Sequence, residues 1–238
     1  MSTEPVDPDE RDLDDRAAGA PRRRVLVYSA AALAVLLVGA AIGMLVTLTA
    51  VGSDAPPGEG SVDVGFSQDM RTHHLQAITM AGIARDRTTD PEVKGLAFDI
   101  ETGQLDQSGQ MSGWLTSWNQ PTLPPPGQKH MRWMAAGGHD HGGMAMSPDG
   151  VDRMPGMAST EELTKLRSLT GREFDVYFLQ LMLRHHDGGQ DMAAYGADHA
   201  QLAYVRNLAE KIKTAQGKEI ELLTDMLRAR GAQPLPDN

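Results

Sequence analysis

Apolar and polar positions divide this chain into unlike stretches. Residues 25–51, from Val25 to Val51, carry no charge and are rich in Ala, Leu and Val. A bilayer span needs roughly 20 apolar residues, so the run predicts one transmembrane helix. Beyond a Gly/Pro-rich stretch, the pattern predicts a helix over about 63–84, with Ser61 or Asp63 able to cap it. Thr88-Thr89-Asp90-Pro91-Glu92 reads as a restart. Asp90 is the cap, Pro91 sits in the first turn and Glu92 lies near the positive end of the dipole. The second helix runs to about Trp118 and stops before Pro121; its Gly95, Gly103, Gly109 and Gly113 mean that it needs packing to hold it. Ser159 and Glu162 form a capping box for a short helix ending at Gly171. Two long helices follow, about Glu173 to His199 and Leu202 to Arg230, stopped by Gly231 with Pro234 beyond. Leu208, Ile212, Leu222, Leu223 and Met226 give the last one an apolar stripe. No segment reads as a strand.

The helices repeat. Asp63-Val64, Phe66, Gln68, Met70, His73, His74, Met80 and Ala81 recur 112 positions later as Asp175-Val176, Phe178, Gln180, Met182, His185, His186, Met192 and Ala193. Val93, Leu96, Ala97, Ile100, Thr102 and Gln104 match Val205, Leu208, Ala209, Ile212, Thr214 and Gln216 at the same offset. Between 63 and 115 there are 17 ungapped identities to 175–227, which predicts an internal duplication. The expected fold is all-α: a four-helix bundle of two duplicated hairpins with a short extra helix, preceded by the transmembrane helix. The expected organisation is a disordered acidic tail (1–24), the anchor (25–51), a flexible linker (52–60), the bundle (61–230) and a disordered tail (231–238). Within the bundle, residues 119–158 hold Pro121, Pro124, Pro125 and Pro126 followed by a Met/His/Gly-dense run with no period, expected to be a mobile loop.

Arg22, Arg23 and Arg24 precede the apolar run, so the positive-inside rule keeps the N-terminus cytoplasmic and exports the rest. A cleaved signal peptide has an apolar core of only about 7–15 residues. This run is longer and no clear small-x-small site follows it, which favours an uncleaved anchor in the bilayer. The chain has no cysteine, so the exported domain relies on its core, without disulfides, thiolate metal sites or lipid attachment through cysteine. A net charge of -10 argues against nucleic acid, which needs a basic face.

The repeated motif carries the chemistry. At about 100° per residue, with Met70 at zero, His73 falls near -60°, His74 near +40° and Met80 near -80°. Met70, His73, His74 and Met80 therefore share one broad face, as do Met182, His185, His186 and Met192. Thioether and imidazole together select Cu(I) and, by the same softness, Ag(I); calcium and magnesium want oxygen ligands. Set against this, Met at helical spacing is ordinary core filler. A buried His pair can also be structural, bonded to Gln68, Asp69 or a backbone carbonyl. Of the 12 methionines after the apolar run, six (Met131, Met134, Met144, Met146, Met154, Met157) lie in 130–157, where a loop has no packing reason to collect them. His139 and His141, with Met144 and Met146 nearby, add nitrogen and thioether donors for copper or zinc. Trp133 is placed to cap a soft cation. The alternative is a hydrophobic loop folded onto the bundle.

Met-x-x-His-His with Met-Ala six positions beyond the second His, repeated after Gly171, Phe174 and Asp175, resembles the domain-of-unknown-function family numbered 305. The resemblance covers roughly residues 61–230. It implies a ferritin-like four-helix bundle, mostly exported or membrane-anchored, with some members associated with copper. Carried over by position, the motif residues are Met70, His73, His74, Met80, Met182, His185, His186 and Met192. The sequence leans away from an enzyme. No Glu stands three residues before any His, as di-iron bundles require, and there is no His-Glu-x-x-His helix or Gly-x-Ser-x-Gly elbow. The expected function is a membrane-anchored extracytoplasmic protein that sequesters or delivers copper(I) through Met and His. The alternative is a non-catalytic envelope interaction bundle with structural His pairs. An envelope protein or a second copy of the chain is a candidate partner.

Overall fold

The computed structural model describes residues 10–50, 55–137 and 149–238. They belong to two units, Met1–Ala55 and Pro56–Asn238. The first contains helix α1 (Glu10–Ala50). It starts earlier than the apolar run, within the polar tail; residues 1–9 lie outside the described residues. Within it Arg23–Thr47 is long and apolar enough to cross a membrane, with its apolar side chains exposed.

The second unit is a helical bundle: α2 (Val62–Arg87), α3 (Pro91–Ser117), α4 (Thr160–Ser168), α5 (Gly171–His199) and α6 (Ala203–Ala229). No strand occurs among the described residues. Helix α2 packs along α3 and α5 along α6, and the two hairpins meet through α2 and α5. The caps follow the local chemistry. Ser61 accepts from Val64 N, Asp90 from Glu92 N, and Ser159 and Glu162 close a full capping box. The short helix α4 stops at Ser168, and Gly171 opens α5 instead of ending α4.

Asp63 and Asp175 do not cap their own helices. Asp63 accepts from the backbone N–H groups of Gln201 (3.0 Å) and Leu202 (2.9 Å), the entry to α6. Asp175 accepts from the hydroxyl of Thr88 (2.6 Å), which in turn accepts from Asp90 N at the entry to α3 (3.0 Å). The first helix of each hairpin thus fastens the turn of the other.

The core has two apolar clusters, one toward each end of the bundle. One holds Val64, Phe66, Met70, Met111, Leu115, Met192, Val205 and Ile212; the other holds Met80, Ala84, Val93, Ile100, Phe174, Phe178, Met182 and Leu223. The four long helices α2, α3, α5 and α6 contribute to both, and each passes through a polar stretch between them.

Part of the 119–158 segment packs onto the bundle. Met131, Trp133, Met134 and Met154 are buried in the first cluster, and Arg132–Gly137 forms a 3-10 turn. Asp69 organises this packing by accepting from His130 Nδ1 (2.6 Å), Met131 N (2.7 Å) and Trp133 Nε1 (2.8 Å). His130 and Val151 exchange backbone hydrogen bonds (2.8 and 2.9 Å), closing the base of the excursion. A loop this rich in Met and Trp buries apolar surface, and that stabilisation exceeds the entropy of leaving it free. The 231–238 segment is likewise fastened. Ala232 and Leu235 pack on the core, and Gln233 O accepts from Gln180 (2.6 Å).

Candidate metal centre

Between the two apolar clusters lies a layer of polar side chains. His73 and His74 project into it from α2, His185 and His186 from α5, Gln104 from α3 and Gln216 from α6. All four imidazoles are 0% exposed. His73 and His185, equivalent in the 112-residue register, meet with ring centroids 3.7 Å apart and planes tilted by 34°. The outer pair is anchored at the rim: His74 Nε2 donates to Gln107 Oε1 (2.7 Å) and His186 Nε2 to Glu219 Oε2 (2.6 Å). His73 Nε2 donates to the carbonyl of Pro155 (3.3 Å).

These bonds fix which nitrogen is left. A neutral imidazole donating from Nε2 keeps its lone pair on Nδ1. The Nδ1 atoms of His73, His74, His185 and His186 are all buried without a hydrogen-bond partner. So are Nε2 of His185 and both amide atoms of Gln104 and Gln216. Each unsatisfied buried polar group costs about 1–3 kcal/mol, and a native core carries few of them. Burial is also the main reason three of these rings, His73, His74 and His185, resist protonation. It lowers His73 to about 3, with His74 adding repulsion, and His74 to about 4 against the raising effect of Gln107. His185 is pushed well below the ordinary histidine value by burial and then by the neighbouring imidazoles. These three rings therefore hold lone pairs that protons do not readily occupy.

A strap closes one side of the layer. Met154 is buried, and Pro155 and Gly156 lie directly on α5. Gly156 has φ +76°, and a Cβ there would stand 2.5 Å from Arg184 O. A Cβ at Gly188 would stand 2.3 Å from Pro155 O, so the Gly188 position is required for the strap to seat. Gln76 grips Ala158 twice, accepting from its N–H (2.6 Å) and donating to its carbonyl (2.9 Å). Asn238 accepts from Gly156 N and donates to Met157 O, both at 3.1 Å.

The motif methionines sit differently from the sequence expectation of one Met/His set per helix. Met70 and Met192 share the cluster on one side of the layer, and Met80 and Met182 the cluster on the other. Each pair takes one residue from each hairpin, and all four are fully buried. Trp133 does not face a cation site: its Nε1 is bonded to Asp69 and its ring lies edge-on to Phe66 and Tyr195. His139, His141, Met144 and Met146 lie outside the described residues. Among the described residues no group of three His, Asp or Glu side chains stands ready as a metal cage. What the layer offers is unpartnered imidazole nitrogens between two thioether pairs, a donor set that fits a soft cation of low coordination number. Sequence reasoning missed Gln107 and Glu219. These two rim residues differ between the hairpins, so the repeat did not mark them.

Comparison with known proteins places the fold. The model of DUF305, a domain of unknown function, matches residues 63–227, and the chain belongs to that family. A DUF305 protein from Streptomyces coelicolor, whose name places it among secreted proteins, is 38% identical with TM-score 0.65, over 75% of this chain and 99% of that one. A DUF305 fragment from Deinococcus radiodurans is 30% identical with TM-score 0.57, over 73% and 99%. CopM in its Cu(II)-bound form is 26% identical with TM-score 0.51, over 70% and 96%. No curated protein matches the chain.

Proposed function

We propose that this protein is an extracytoplasmic, membrane-anchored copper-binding bundle that sequesters or hands on Cu(I). The observation that carries the reading is the set of four buried imidazoles with unpartnered ring nitrogens, Nδ1 in His73, His74 and His186 and both in His185. A purely structural polar layer would satisfy its own hydrogen bonds. His73, His74, His185 and His186 supply nitrogen donors, and Met70, Met80, Met182 and Met192 flank them with thioethers. The copper-bound relative CopM supports the choice of metal. His139, His141, Met144 and Met146 are the proposed first point of capture. The Arg22–Arg24 cluster and the apolar stretch of α1 support a single-pass anchor with a cytoplasmic N-terminus.

A second reading draws on the bonds from His74 to Gln107 and His186 to Glu219, which suit structural His pairs in an interaction bundle. It leaves the Nδ1 atoms unexplained. Anaerobic Cu(I) titration against a competing chelator separates the two. Replacing His73, His74, His185 and His186 together should abolish the tight equivalent, and affinity should fall in acid because a protonated imidazole cannot ligate. Unchanged affinity in the fourfold variant would leave the structural reading.

A further inference from the structure

The outer imidazoles of the two halves, His74 and His186, are held alike except for one charge. On the α2–α3 side His74 donates to the neutral amide oxygen of Gln107; on the α5–α6 side His186 donates to the carboxylate of Glu219. Residues 107 and 219 stand 112 positions apart, so they hold the same place in the two hairpins. The distances, 2.7 and 2.6 Å, are nearly the same. The strongly basic side chain next to the layer in sequence, Arg184, is already paired with Glu162 (2.8 Å). Glu219 is thus the negative group bonded directly to the layer's imidazoles.

A cation entering a buried layer of imidazoles and amides needs a counter-charge, because an uncompensated buried charge is strongly destabilising. A carboxylate that accepts from one ring nitrogen also aims the other and makes it a better donor. We propose that the layer takes a single monovalent soft cation on the His186 side, with Glu219 as its positioning and charge-balancing residue. The two motif copies then do not make two equal sites. Glu219 does not ligate; it holds His186 Nε2–H and turns Nδ1 toward the ion. Gln107 holds His74 in the same pose without the charge. This inference rests on the metal reading above.

The test uses the full-length chain in detergent, with Ag(I) as a redox-inert probe, read by native mass spectrometry and by long-range proton–nitrogen NMR of the histidines. In the unmodified chain His186 Nδ1 should respond to the first equivalent, ahead of His74 Nδ1. Glu219→Gln should weaken silver binding by about 10–100-fold. It should leave the thermal midpoint of the metal-free protein in place, since Gln accepts from His186 as Gln107 does from His74. Gln107→Glu should add one equivalent, and His74 Nδ1 should then respond. Unchanged affinity in Glu219→Gln overturns the proposal, as does simultaneous response of His74 and His186 in the unmodified chain; the copper reading survives either result. Absence of any histidine nitrogen response in all three proteins overturns both.

Discussion

A histidine buried as a neutral ring makes a protein sensitive to acid in a definite direction. His73 and His74 fall to about 3 and about 4, and His185 also drops far below its ordinary value. In the unfolded chain each returns to about 6.5 and binds a proton that the folded state refuses. The unfolded state therefore holds more protons between the two values. Stability is fully present above about pH 6.5 and is lost as pH falls toward the folded values. At pH 5.5 each such ring should remove about 1.4 kcal/mol. Denaturant midpoints of the metal-free protein, stepped from pH 8 to pH 4.5, should decline only below about 6.5; a flat profile would mean that the rings are hydrated. The rings also differ among themselves. Neither nitrogen of His185 has a partner, so His185→Leu should be neutral or stabilising without metal. His186→Leu leaves Glu219 without its donor and should cost about 1–3 kcal/mol. Urea unfolding of the two variants checks the contrast.

At the scale of elements, the turns and straps hold the layer closed. Gly188→Ala places a methyl group against the Pro155 carbonyl, so the strap must lift. The expected loss is about 1–3 kcal/mol. His73, freed from Pro155 O, should react faster with diethyl pyrocarbonate, measured by peptide mass spectrometry. An unchanged labelling rate would show that the strap does not control access. Helix positions, the Asp90 and Ser159 caps and the register of the two hairpins were legible because each depends on residues close in sequence. The role of Asp63 was not: an Asp at the start of a helix looks the same whether it caps that helix or one 138 residues away. The assembled layer was hidden for the same reason. The wheel put Met70, His73, His74 and Met80 on one face, but only α2–α5 packing shows His73 stacking on His185 and Met70 sharing a cluster with Met192. The packed loop was misread because a Met-rich stretch without period looks unstructured until Asp69 and the core beneath it are known.

For the whole molecule, the apolar stretch of α1 decides where the bundle is held. Arg23–Thr47 is 25 residues long with mean hydropathy 2.5. As a helix it spans about 37 Å, more than the ~30 Å hydrocarbon core. Arg22, Arg23 and Arg24 at its start oppose translocation of that end, and no acidic or basic residue interrupts Val25 to Val51. The bundle beyond has no cysteine, so an exported bundle would meet oxidants without thiol chemistry, and a thioether–imidazole donor set would suit a soft cation there. An uncleaved anchor predicts that alkaline carbonate leaves the chain in the membrane pellet. It also predicts that protease added to spheroplasts removes the bundle while an N-terminal epitope survives. A cleaved leader would instead release a soluble chain that begins after the apolar run, and its N-terminal sequence would show the cut. The difference bears on function: an anchored bundle keeps captured metal at the membrane face, whereas a released one carries it away.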